Sequence, residues 1–304
     1  MADLRSRNVM TGRFRTHYTE CGGNGPALVL CHGGGPGSSG EAGFGQLMPT
    51  LATKFQVYAP DSVGGFGETD PYYPASEGVQ SRVDQLEAFM DALCIEKAVV
   101  GGNSQGAWVA AKYALEHPDR VERLVLIASN TISGAMGLES PVTEGMKAIR
   151  AYNGSEESMG VFLKTIVWNK NLITEELVKL RNDCANRPGA EAARKTFQEG
   201  QQRLTKDPNL RLKFDLRHTL PKFTIPTICI WGEDDGFAPV ALGRQLETML
   251  PNIKFHYVAH AGHQVQNDQP QLVAKLMMDF LAATEFASSS PTKISPSPLF
   301  QKMG

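Results

Sequence analysis

The chain has 304 residues, 41% hydrophobic and 20% charged, with a net charge of −2; that suits one large α/β domain with an insertion, or two small domains, and allows a sizeable core. Near-neutrality excludes the electrostatic footprint of a nucleic-acid or anionic-membrane binder, and no run of about 18 apolar residues is present to span a bilayer. Five scattered cysteines (Cys21, Cys31, Cys94, Cys184, Cys229) without a C-x-x-C pair exclude a disulfide framework or zinc site and fit a reducing, cytoplasmic compartment, as does an N-terminus with no apolar signal region.

In chain order, alternation over 13–19 predicts an early strand, and the continuous apolar run 27–31 predicts a parallel strand buried on both faces. A glycine-rich loop follows, His32-Gly33-Gly34-Gly35-Pro36-Gly37, then a short strand over 55–59 closed by Pro60-Asp61 and the turn 64–67. Val83, Leu86, Phe89, Met90 and Leu93 recur at helical spacing. Next comes the apolar run 98–100, then Gly102-Asn103-Ser104-Gln105-Gly106, then helical composition over 108–115 and a strand over 124–127. Strands alternating with helices mean a mostly parallel, doubly wound sheet, whose ligands bind beyond the carboxyl ends of the strands. Between 129 and 220 the pattern is helical (141–152, 157–168, 174–186, 191–203), which predicts a lid inserted between a first core segment, 1–128, and a second, 221–286. The second core segment carries strands over 226–231 and 254–258, a helix over 240–250, and a closing helix expected to bury Leu272, Leu276 and Phe280. The Ser- and Pro-rich tail, 287–304, is expected to be disordered.

Gly102-x-Ser104-x-Gly106 between a strand and a helix is the context of a nucleophile elbow, where a serine sits on a sharp turn flanked by residues without Cβ. A serine hydroxyl needs a base, and the base needs an orienting acid. In chain order Ser, acid, His, the candidates are Ser104, Asp235 and His263, each just past a strand. Asp234 and His260 are the rivals. Acyl transfer also needs N–H groups aimed at the developing oxyanion; the residue after the nucleophile, Gln105, and Gly34 of the glycine loop are the candidate donors. The glycine run lacks the Lys-Ser/Thr of a phosphate loop and the acidic partner of a dinucleotide fingerprint. Together these features predict an α/β-hydrolase fold.

The glycine loop, Gly102-Asn103-Ser104 and Trp231-Gly232-x-Asp234-Asp235 resemble the meta-cleavage-product hydrolases of bacterial aromatic and steroid degradation, and so does Asn169-Lys170-Asn171-Leu172-Ile173-Thr174-Glu175-Glu176-Leu177 followed by Arg181. The resemblance covers nearly the whole chain except the tail. It implies hydrolysis of a carbon–carbon bond in a 2-hydroxy-6-oxo-hexa-2,4-dienoate, without metal or cofactor. It further implies that Arg181 binds the acidic dienoate end and that Asn103 helps hold the 2-oxo or hydroxyl region. Ser104 would attack the C6 ketone, with His263 as base and acid. Gly35, Phe44, Trp168 and Gln264 are further candidates for the substrate pocket. The chain departs from the family pattern at 38–44, where an Asn is usual, at Gln264, where Trp is usual, and at the turn 64–67, one residue longer than usual. An ester or lactone hydrolase with the same triad, and a ligand receptor on the same scaffold, stay open. The expected partner is a small molecule, with no nucleic acid and no membrane, and a homo-oligomer is compatible with the sequence.

Overall fold

A computed structural model describes residues 3–283; the tail 287–304 lies outside the described residues. The first half runs β1 (Arg5–Thr11), β2 (Phe14–Cys21), β3 (Ala27–Cys31), α1 (Gly40–Phe44), α2 (Met48–Leu51), β4 (Gln56–Pro60), α3 (Val79–Ala92), β5 (Ala98–Asn103), α4 (Gln105–Glu116) and β6 (Val121–Ile127). Then come α5 (Asn130–Ala135), α6 (Glu144–Ala151), α7 (Glu156–Ile166), α8 (Glu175–Asn186), α9 (Ala190–Lys206) and α10 (Pro208–Phe214). The chain closes with β7 (Thr227–Gly232), α11 (Val240–Met249), β8 (Lys254–Val258), α12 (Val265–Asp268) and α13 (Pro270–Ala282).

One eight-stranded sheet has the order β1-β2-β4-β3-β5-β6-β7-β8. β1–β2 and β2–β4 are antiparallel, and every later pairing is parallel. The central strand β5 is buried along its whole length, which is why its sequence is a continuous apolar and glycine run rather than an alternation. β1 was not expected: it is an edge strand, largely exposed, and its Arg5 and Arg7 pair with Glu20 of β2 instead of entering the core. Edge strands of this kind carry charge, not hydrophobic periodicity. The closing helix also differs. α13 buries Val273, Ala274 and Met277, while Leu272 is exposed and Leu276 and Phe280 are half-buried. The buried stripe is one residue further along the helix than the larger side chains indicate.

Between β6 and β7 the chain is helical, with no strand among the described residues. Thr143, Ser155 and Thr174 start α6, α7 and α8 by accepting the N–H three residues on, each cap stabilising its helix by about 1 kcal/mol. Met159, Phe162, Leu163, Ile166 and Val167 of the α7 segment form a cluster of their own with Ala185, separate from the main core. α9 joins the rest through Phe197. Its ring and that of Phe66 enclose the buried Arg82 guanidinium at 4.9 and 4.3 Å, a cation–π sandwich. The long glycine turn allows this approach: Gly64 has φ +97°, and a Cβ there would lie 2.8 Å from the Phe197 ring.

Candidate active site

The site is built at the carboxyl ends of β3, β5, β7 and β8. β5 ends at Asn103 and α4 begins at Gln105, so Ser104 alone makes the turn, at φ +58° and ψ −120°. A non-glycine residue in this region is strained. Gly102 and Gly106 make the turn possible: a Cβ at Gly102 would sit 2.2 Å from the Gly106 carbonyl oxygen, and one at Gly106 2.0 Å from that of Cys31. The Ser104 N–H donates to Ile127 O at 2.9 Å, and Ser129 Oγ donates to Ser104 O at 2.6 Å.

Asp235 follows β7, and its side chain is fully buried. Its Oδ1 accepts from the N–H groups of Phe237 and Ala238 at 2.8 and 2.7 Å, and its Oδ2 lies 2.8 Å from His263 Nδ1. A carboxylate so surrounded is acceptor-only, so His263 carries its proton on Nδ1 and leaves Nε2 as the basic nitrogen. The rivals stand outside. Asp234 is exposed, and His260 is exposed with its ring 4.9 Å from Trp168.

The oxyanion candidates also converge. Gln105 opens α4, where N–H groups lack intrahelical acceptors, and among the described residues neither its N–H nor that of Gly34 has an acceptor. His32 fixes the glycine loop. Its Nε2 accepts from Ser62 N at 2.9 Å, and Nδ1 faces Gly33 O at 2.6 Å. Burial, with Arg82 nearby, pushes its pKa down to about 4, so the ring stays neutral and holds both bonds at any ordinary pH.

Ser104, His263, Gly34 and Gln105 line one cavity of about 310 Å³, with Gly35 and Asn103 also on its wall. Arg181 of α8 enters from above, fully buried. Its Nη2 donates to Pro36 O at 2.9 Å and Ser38 Oγ at 3.0 Å, while Nε has no partner. Burial lowers its pKa to about 10, so it is charged at neutral pH, and among the described residues no carboxylate lies within ion-pair distance. Asn103 lines the cavity, but its amide N–H groups are engaged by His263 O at 3.0 Å and Ile127 O at 3.3 Å. It holds the histidine loop to the elbow. Gln264 reaches the cavity with Oε1 bound to Asn267 Nδ2 at 3.1 Å.

Two sequence candidates lie elsewhere. Phe44 is wholly buried in the main core at the end of α1, and Trp168 is 44% exposed with its ring on His260. The contribution of Trp168 is its backbone: its N–H and that of Asn169 donate to the Asp268 carboxylate, which also accepts from Gly262 N. This single carboxylate ties the end of α7 to the loop carrying His263. Phe162, an apolar lid residue that the sequence already offers for the pocket, completes the wall with Ser38 and Phe237, which the sequence does not single out. Ser38 sits beside Arg181, Phe162 beneath it, and Phe237 packs its ring 4.8 Å from that of His263. Phe237 could have been found from its place two residues after Asp235; Ser38 had no signal beyond the loop it closes.

Two further cavities flank the central one. The first, about 430 Å³, is mainly apolar and meets it at Arg181 and Gln264. The second, about 860 Å³, meets it at Gly34, Gln105, Ile149, Arg150 and Phe237.

The family described as alpha/beta hydrolase fold matches residues 26–270. The 2-hydroxy-6-oxo-2,4-heptadienoate hydrolase of Pseudomonas putida is 32% identical over 285 residues, covering 92% of this chain and 97% of that protein. The 2-hydroxy-6-oxononadienedioate/2-hydroxy-6-oxononatrienedioate hydrolase of Paraburkholderia phymatum is 32% identical over 280 residues, covering 90% and 94%. Among solved structures, a meta-cleavage product hydrolase from Pseudomonas fluorescens IP01 superposes with a TM-score of 0.75 at 30% identity, covering 90% of this chain and 97% of its own.

Proposed function

The chain belongs to the α/β-hydrolase family, and from that premise we propose that it hydrolyses the C5–C6 bond of a 2-hydroxy-6-oxo-hexa-2,4-dienoate, with Ser104, His263 and Asp235 as its triad. One observation carries the substrate class: Arg181 is a buried guanidinium without a carboxylate partner, on the wall of the cavity that holds Ser104. A buried charge left unpaired is costly, and an anionic substrate end resolves it. Relatives named for dienoate hydrolysis, at about one-third identity along nearly the full chain, point the same way.

In this mechanism Arg181 holds the C1 carboxylate while the 2-hydroxyl proton moves to C5, giving a 2,6-dioxo-3-enoate. His263 Nε2 takes the Ser104 proton as Oγ attacks C6, and the N–H groups of Gln105 and Gly34 receive the oxyanion. The C5–C6 bonding pair leaves into the conjugated enolate, which takes up a proton to become a 2-hydroxypenta-2,4-dienoate. Water, deprotonated by His263, then cleaves the acyl-serine to a carboxylic acid. The helical segment 129–220 serves as the lid that carries Arg181 over this chemistry. Five scattered cysteines without a C-x-x-C pair fit a reducing cytoplasm.

Arg181→Ala separates this function from simple ester hydrolysis. Loss of charged hydrogen bonds worth about 1.5–3 kcal/mol lowers kcat/KM for the dienoate about 10- to 150-fold, and that for p-nitrophenyl butyrate far less. Equal losses on both substrates, in a variant whose melting curve shows it folded, would remove Arg181 from substrate recognition.

A further inference from the structure

The apolar cavity of about 430 Å³ adjoins the central one, and the mechanism above uses only Arg181 from its wall. Leu163, Val167, Leu172, Ile173, Leu177 and Leu180 line it from the lid side, and Ala42 of α1 lines it from the core side. Leu180 is 60% exposed, and Leu172, Ile173 and Leu177 are half-buried. Apolar surface is thus left for an apolar group to cover. The chain's departures from the family pattern gather here too: Ser39, Glu41 and Ala42 from the segment 38–44, Gly67 of the glycine turn, and Gln264.

Arg181 and Gln264 are the residues that line both this cavity and the central one, whereas Ser104 and His263 line the central one and not its apolar neighbour. With C6 on Ser104 and the C1 carboxylate on Arg181, the dienoate runs from the nucleophile to that border. C2 carries the hydroxyl, so C3 is the first carbon from the border free to carry a side group. An acyl substituent on C6 starts from the opposite end. Charge then restricts what the side group is. Glu41 and Glu68 are exposed on the cavity wall, Asp61 is already paired with His17, and Arg181 is engaged by C1. A second carboxylate entering here would meet like charge.

We propose that this cavity is a subsite for an uncharged, apolar substituent on C3 of the dienoate, so that the preferred substrate is branched on its dienoate arm. The assignment rests on the C–C hydrolase function above and gives that function its dienoate-side specificity. With a 3-butyl group on the 6-oxoheptadienoate, the reaction consumes water and breaks C5–C6. It yields 3-butyl-2-hydroxypenta-2,4-dienoate and acetate, the water oxygen going to C6 and a proton to C5.

The test compares 2-hydroxy-6-oxohepta-2,4-dienoates carrying methyl, butyl or 3-carboxypropyl on C3. At about threefold to fourfold per buried methylene, the wild-type protein favours butyl over methyl by about 30-fold or more in kcat/KM. The gain lies in KM, because the side group is held equally in ground and transition states. The carboxypropyl compound, of the same length, is not favoured over methyl. Leu177→Trp, which fills the cavity from the lid, brings the butyl-to-methyl ratio close to one; Leu172→Trp does the same from the neighbouring turn and serves if the first variant does not fold. A wild-type ratio near or below one, a ratio that the tryptophan variants leave in place, or an equal gain from the carboxypropyl arm overturns the assignment while C–C hydrolysis stands. If neither these compounds nor the unbranched dienoate is cleaved, the underlying function falls and the subsite falls with it.

Discussion

Ser104 is held at φ +58°, a conformation costing about 1–3 kcal/mol, and the surrounding backbone must over-determine it. The N–H bond to Ile127 O of β6 and the hydroxyl of Ser129, the N-cap of α5, on its carbonyl do so, and the two flanking glycines let α4 fold back against β3. Gly106→Ala would place a methyl 2.0 Å from the Cys31 carbonyl oxygen, which is sheet backbone and cannot move aside. A loss of about 2–4 kcal/mol is expected, lowering Tm by roughly 4–16 °C at about 2–4 °C per kcal/mol. A thermal melt of the variant matching that of wild type would contradict this account of the turn. Ser104, Asp235 and His263 were legible as candidates because the chemistry restricts both residue type and chain order. Ser38, Arg150 and Phe237 were not, since each reaches the cavity through tertiary placement, which leaves no mark on local sequence. Phe44 and Trp168 show the converse: a large apolar side chain near a motif is as readily core or surface as pocket.

At the scale of elements, β2 and β4 are locked to the loops around the site by a buried pair that reads in the sequence as an ordinary strand histidine and a turn aspartate. His17 Nδ1 lies 2.7 Å from Asp61 Oδ2, and His17 Nε2 is 2.8 Å from Ser6 Oγ. Asp61 also accepts from Gly40 N, at the start of α1, and Glu68 N, after the glycine turn. Burial opposes charge on both groups, but each is the other's counter-ion. Asp61 is therefore held below the usual carboxylate range and His17 is raised above the ordinary histidine value. The depressed carboxylate contributes stability above its unfolded pKa of about 4, lost as pH falls through its folded value; the raised imidazole contributes below its unfolded pKa of about 6.5, lost as pH rises through its folded value. The pair therefore gives most between about pH 4 and 6.5. Asp61→Asn should cost about 3–5 kcal/mol there and less at higher pH, read as urea midpoints across pH; wild-type and variant profiles running parallel would show that the pair is not ionised. The helices 141–203 were visible because their caps and periodicity are local signals. β1 was hidden because an exposed edge strand needs neither.

At the scale of the whole molecule, a chain of ordinary composition and near-zero net charge gathers unpaired positive charge at the strand ends. The cavity at the strand ends holds two guanidiniums, no carboxylate on its wall, and a histidine oriented by a buried aspartate. Helices α7 and α8 supply its roof, and the Asp268 carboxylate and the Gln264 N–H to Ile166 O bond at 2.9 Å fasten that roof to the histidine loop. The outline of this arrangement, a parallel sheet with a helical insertion above the elbow, was legible from the alternation of strands and helices; the join between roof and loop was not, because it links residues about a hundred positions apart. The most direct measurement is stopped-flow absorbance with 2-hydroxy-6-oxohepta-2,4-dienoate, run beside p-nitrophenyl butyrate on the wild-type protein and Ser104→Ala. The dienoate chromophore is expected to bleach at about 1–10³ per second, with release of acetate, and Ser104→Ala to abolish that decay. A dienoate that persists while the ester is cleaved would contradict carbon–carbon bond hydrolysis and leave an esterase on the same triad.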